Sequence, residues 1–140
     1  MTRINCVPPE ELCREHLIAE YRELPRVFGM VRGMIARGLA DPASARIPPA
    51  YRMGAGHMAF FCDKLGYLVE RQRALVAEMR RRGYAPQFTD PEALLEGIPP
   101  VWRGDWTPDA DALAINRARI AERLPKPRQV DAGIRLRRGP

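Results

Sequence analysis

Apolar residues return every three or four positions along this chain, and that period decides its fold class. Phe61, Leu65, Leu68, Leu75 and Met79 keep spacings of 4, 3, 7 and 4 up to Gly83, with Gln72 in the intervening stripe position. Residues three and four apart share a helix face, whereas a half-buried strand needs alternation by two. The spacing therefore predicts one long central helix starting near Gly56. Upstream, Cys13, Leu17, Tyr21, Leu24 and Phe28 form a second stripe, with His16, Ala19, Arg22, Glu23 and Arg26 on the other side. Pro8-Pro9-Glu10-Glu11 suits the start of that helix, because proline is tolerated in the first turn and acids are favoured by the macrodipole. Pro25 lacks a backbone donor, so the helix kinks there or ends and restarts. Val27, Met30, Val31, Met34 and Ile35 continue the pattern until Gly38 closes it. A Pro-punctuated loop over residues 40–49, a short turn at "DPEALLEG", an ordered loop at "IPPVWRGDW" and a last helix in "PDADALAINRARIAERL" complete the chain. No useful length shows the strand period. The expected architecture is all-α: a compact single domain of about three main helices with long ordered loops.

At 140 residues the chain has room for one core and not two. The domain is expected over residues 1–124, followed by a flexible basic tail, 125–140, with no aromatic residue. Twenty-three Lys and Arg against 17 Asp and Glu give a net charge of +6, which suits a polyanionic partner. No apolar run is long enough to span a membrane and no secretory leader is evident. Cys6, Cys13 and Cys62 form no CxxC pair, so a reducing, cytoplasmic setting is expected rather than a disulfide framework. Cys13, His16, His57 and Cys62 could serve as zinc ligands only if the fold made them converge. Small buried hydrophobes are the more usual role of such cysteines, and no metal or cofactor is expected.

The segment "AEYRELPRVFG" places Glu23 between Arg22 and Arg26. Read alone, this is a solvated helix surface with an ion pair. The opening "MTRIN" offers another reading, because the small side chain of Thr2 permits removal of the initiator methionine and leaves Thr2 with a free α-amine. An α-amine has a pKa near 7.7–8.0 against roughly 10.4 for lysine, so far more of it is neutral at pH 7. Nearby cations such as Arg3, Arg22 and Arg26 lower it further. A neutral amine can attack C1′ of a deoxyribose, expel the base and leave an iminium. A carboxylate such as Glu23 stabilises the positive charge that develops and relays protons, while flanking guanidinium groups hold phosphates.

"MTRIN", "HLIAEYRELPRVFG", "GAGHMAFFCDKL" and the "RGDW" loop together resemble the pyrimidine-dimer DNA glycosylase family of phage, the endonuclease V type. The similarity runs from Met1 to about Arg123. It implies an all-α enzyme that acts as glycosylase and abasic-site lyase without metal. It assigns the nucleophile to Thr2, the acidic catalytic residue to Glu23, and DNA contacts to Arg3, His16, Arg22, Arg26 and Arg117. The implied partner is damaged double-stranded DNA, bound by a monomer with no protein partner. His16 and His57 also have packing readings, and Trp102 and Trp106 are expected to be core anchors. Glu15 stands where the family has a neutral amide, and "KPRQVDAGIRLRRGP" replaces its aromatic C-terminal segment, so lesion range is not implied. The alternatives are the same chemistry on another damaged base, or a basic helical DNA-binding protein without catalysis.

Overall fold

The computed structural model describes residues 3–125, which leaves Thr2 and the basic tail beyond Pro125 outside the described residues. Within them lie four α-helices and no strand: α1 (Arg14–Glu23), α2 (Arg26–Ala36), α3 (Leu65–Arg81) and α4 (Ala110–Glu122). The all-α expectation holds. Five short 3-10 turns fill the connections, of which Ala59–Phe61, Pro91–Leu95 and Pro100–Trp102 contribute buried residues.

Two helix starts differ from the sequence expectation. Pro8-Pro9 opens only a single 3-10 turn, because Leu12 swings to φ −84° and ψ 139° and the chain starts again from Cys13. The central helix starts at Leu65 instead of Gly56, since Gly54 (φ 75°) and Gly56 (φ 85°) reverse the chain and residues 59–61 form a 3-10 turn. Those left-handed angles are cheap for glycine and costly for other residues. At Pro25 the helix ends and restarts, with Val27 and Phe28 bonding back three residues to Leu24 and Pro25.

The core is one continuous cluster of Ile4, Leu17, Leu24, Phe28, Phe60, Phe61, Leu65, Leu68, Leu75, Ile98 and Trp102, among others. α1 packs along α3, which also meets the 91–95 and 9–11 turns. Trp102 is fully buried and half-buried Trp106 stacks on Tyr51 with ring centroids 5.7 Å apart, so both anchor the core. Cys6 and Cys62 are buried free thiols whose pKa burial raises to about 11. Gly104 bonds to the Asp63 carbonyl at 3.1 Å, so close that a side chain there would collide with it. This contact holds the "RGDW" loop against the start of α3. At the other end of α3, hydrogen bonds from Arg81 and Arg82 hold the Glu78 carboxyl at about 2, and Arg82 reaches the Leu12 carbonyl at 2.7 Å. Among the described residues no helix is long and apolar enough to cross a membrane.

Candidate active site

Residues 4–7 are buried yet belong to no helix or sheet, so side chains from elsewhere must satisfy their backbone polar groups. The Ile4 N–H donates to Nε2 of His57 at 2.7 Å, and the Ile4 carbonyl accepts from the Tyr51 hydroxyl at 2.9 Å. The Cys6 and Val7 N–H groups share Oδ1 of Asn116, at 2.7 and 3.1 Å. The Val7 carbonyl accepts from Arg71 at 2.6 Å. Asn5 donates to Glu20 at 2.9 Å and accepts from Asn116 at 2.8 Å. Every residue of the segment is thereby fixed.

Behind the segment, Arg71 donates twice to Glu20, at 2.7 and 3.0 Å. Burial alone would lower the Arg71 pKa, but the Glu20 charge and hydrogen bonds outweigh it and hold the guanidinium charged. Sequence reasoning assigned this pair no role.

The segment leads out into a small cleft lined by Arg3, Asn5, His16, Ala19, Glu20 and Glu23. The fold thus brings together Arg3, His16 and Glu23, three of the residues singled out from sequence. Nη1 of Arg3 and Nδ1 of His16 are buried with no hydrogen-bond partner among the described residues. Burial lowers the proton affinity of Arg3, and the charges of Arg119 and Arg123 lower it further. His16 uses its other nitrogen, Nε2, to donate to the Arg123 carbonyl at 2.9 Å. The cleft sets Arg3 and His16 beside the carboxylates of Glu20 and Glu23, and Nη1 of Arg3 still has no acceptor among the described residues.

The remaining residues lie around this cleft. Arg26 pairs with Glu23 at 2.8 Å. Arg22 is exposed, has no ion pair among the described residues, and lines neighbouring grooves with Ile18, Tyr21, Tyr84 and Phe88. Arg117 is held by two hydrogen bonds from its guanidinium to the carboxylate of Glu11, at 3.0 and 2.8 Å. Arg119 on α4 and Arg123 at its C-terminal cap are the cations that influence Arg3, and sequence reasoning missed both. Their spacing of four places them on one helix face, whereas Arg117 is two positions away from Arg119 and projects elsewhere.

The possible convergence of Cys13, His16, His57 and Cys62 does not occur. Among the described residues no group of three or more His, Cys, Asp or Glu side chains could hold a metal. Both ring nitrogens of His57 face backbone atoms, Ile4 N–H and the Arg52 carbonyl, each at 2.7 Å. This also removes His57 from any phosphate contact and leaves it the packing role.

The family model described as pyrimidine dimer DNA glycosylase matches residues 1–91. The chain belongs to that family. Glycosylase chemistry makes DNA its substrate, and the matched stretch contains Arg3, His16, Arg22, Glu23 and Arg26 together with the 51–57 turn that holds Ile4. Arg117, Arg119, Arg123 and the tail of this glycosylase lie beyond the match.

Proposed function

We propose that the protein is a bifunctional DNA glycosylase and abasic-site lyase of base-excision repair, acting on cyclobutane pyrimidine dimers. The α-amine of Thr2, with Met1 removed, attacks C1′ of the damaged nucleotide. A nitrogen–carbon bond forms, the glycosidic bond breaks, and the base leaves with the electron pair and a proton. Glu23 faces the positive charge of the resulting iminium. After the sugar ring opens, a proton leaves C2′ and the 3′ phosphate is expelled by β-elimination. Water then hydrolyses the imine and restores the amine. Arg3, His16, Arg22 and Arg26 bind the flanking phosphates together with Arg119 and Arg123, and Arg117 contributes from the rim. Because C1′ is shielded in a duplex, the nucleotide must leave the stack. The basic tail adds electrostatic affinity without reading the lesion.

The observation that carries this reading is Nη1 of Arg3, buried in the cleft that Glu23 also lines, which has no hydrogen-bond partner among the described residues, while Arg119 and Arg123 act on the same guanidinium. A phosphate oxygen would satisfy that nitrogen and neutralise its neighbours. A second support is the scarcity of rival amines. The sequence has two lysines, Lys64 and Lys126. Lys64 is committed to the Phe60 carbonyl at 2.9 Å and to Asp63 at 2.8 Å.

Borohydride reduction on an abasic duplex is the test. The covalent complex is expected on the N-terminal peptide, and one residue added ahead of Thr2 is expected to abolish it without changing the melting temperature. A complex mapped to Lys64 or Lys126 would overturn the assignment.

A further inference from the structure

The hydrogen bonds of residues 5–7 already anchor the N-terminal segment in the core. Asn116, Glu20 and Arg71 hold Asn5, Cys6 and Val7, and the Cys6 thiol adds a bond to the Ala112 carbonyl at 3.7 Å. The Ile4 backbone is nonetheless gripped on both sides by a separate pair, His57 on its N–H and Tyr51 on its carbonyl. These two bonds satisfy the buried polar groups of Ile4 and also fix the direction of its backbone. That direction governs what precedes Ile4, and Thr2 stands two residues before it in the sequence.

We propose that His57 and Tyr51 are positioning residues that set the direction in which the reactive terminus leaves the core toward Glu23. The inference rests on the Thr2 nucleophile of the proposed function and adds the part that aims it. The geometry determines the tautomer. A backbone N–H can only donate, so Nε2 of His57 must be the bare acceptor, and Nδ1 carries the proton given to the Arg52 carbonyl at 2.7 Å. A second ring proton would set N–H against N–H and break the grip. The charged groups around the ring are Arg3 before the segment, Glu20 on α1 and Arg119 on α4, and burial together with the two arginines favours the neutral form.

Tyr51 is held in turn. Its ring stacks on Trp106, meets Phe60 and Phe61 edge-on, and lies 5.5 Å from the His57 ring, also edge-on. The hydroxyl therefore has little freedom to leave Ile4. Holding a nucleophile within a fraction of an ångström matters because a misplacement of about 1 Å can cost on the order of a hundredfold in rate.

The experiment measures single-turnover formation of the borohydride-trapped complex on an abasic duplex at saturating protein. Affinity is measured in parallel on a duplex carrying a stable tetrahydrofuran abasic analogue. His57→Asn keeps a donor for the Arg52 carbonyl but is too short to accept from Ile4, and trapping is expected to slow about 30- to 100-fold. His57→Gln can present its amide oxygen where Nε2 was and is expected to recover to within about fivefold of the parent. Tyr51→Phe is expected to slow trapping about five- to tenfold. Affinity for the analogue should stay within twofold throughout. Folded Asn and Phe variants that trap at the parent rate would overturn the proposal, as would Asn and Gln variants that slow equally in proportion to lost stability. Peptide mapping of the parent complex separates the two levels. Attachment to a lysine removes the nucleophile and this role together, whereas attachment at the terminus with unaffected variants removes only the positioning role.

Discussion

Glu20 and Glu23 stand one turn apart on α1, each with an arginine within 2.8 Å, yet their surroundings are opposite. The Glu20 side chain is 0% exposed and its partner Arg71 is 5% exposed, whereas Glu23 and Arg26 are 32% and 66% exposed. A pair in the first setting has no water to fall back on, so losing one partner strands a buried charge. A pair in the second is screened and contributes little to stability. The same residue types therefore serve architecture at one position and remain available for chemistry three residues later.

The sharpest break in that comparison is Glu23→Gln. Incision of an abasic duplex should fall about four powers of ten, or about 5 kcal/mol of barrier, while affinity for a non-cleavable abasic duplex persists and the melting temperature hardly moves. If affinity and incision fell together, Glu23 would be an anchor for its arginine and not a catalytic group. Arg71→Met should behave in reverse. It leaves Glu20 buried without its partner and should cost about 3–5 kcal/mol of unfolding free energy, read from urea denaturation. Any remaining folded fraction should still form the trapped complex.

A smaller effect separates the arginines of α4. Arg123→Gln should lower the salt slope of DNA binding by roughly 0.9, the value for one phosphate contact, and Arg119→Gln by less, because Glu122 stands 3.4 Å from its guanidinium. Arg117→Gln should change it less, because that guanidinium is already neutralised by Glu11. An equal loss for all three would make the Glu11 pair a resting state that opens on DNA.

The smallest predicted effect is a pH dependence of stability. His57 is neutral in the fold, with its pKa pushed below the ordinary 6.5 chiefly by burial. In the range below 6.5 the unfolded chain binds more protons at this position than the folded one, so stability rises with pH. The contribution is full above about 6.5 and declines as pH falls below it. Urea midpoints at pH 7.5 and 5.5 should differ more for the parent than for His57→Gln.

Helix period and proline placement made the all-α fold legible, because both act locally on the backbone. The start of the central helix was not legible: the apolar stripe continues through Phe61, and only the angles of Gly54 and Gly56 show that the chain turns first. Arg3 and Glu23 drew notice because they accompany the N-terminal amine and the Arg22–Arg26 cluster in the sequence, and His16 because of the family resemblance. Glu20, Arg71 and Asn116 did not, since polar residues default to the surface in any sequence reading and their burial depends on partners 15 to 111 positions away. Which of the C-terminal arginines act on Arg3 depended on helix phase, which a two-residue step reverses.

The contacts of Asn116 also set an order of events during synthesis. They join Asn5, Cys6 and Val7 to a residue 109 to 111 positions later. At about 5–20 residues per second, the ribosome needs on the order of 5–20 s to produce Asn116 after the first residues. Throughout that time Asn5, Cys6 and Val7 lack their partner on the last helix. A product that stops short of α4 would keep the grips of His57, Tyr51, Glu20 and Arg71 on residues 4, 5 and 7 but leave the buried N–H groups of Cys6 and Val7 without an acceptor.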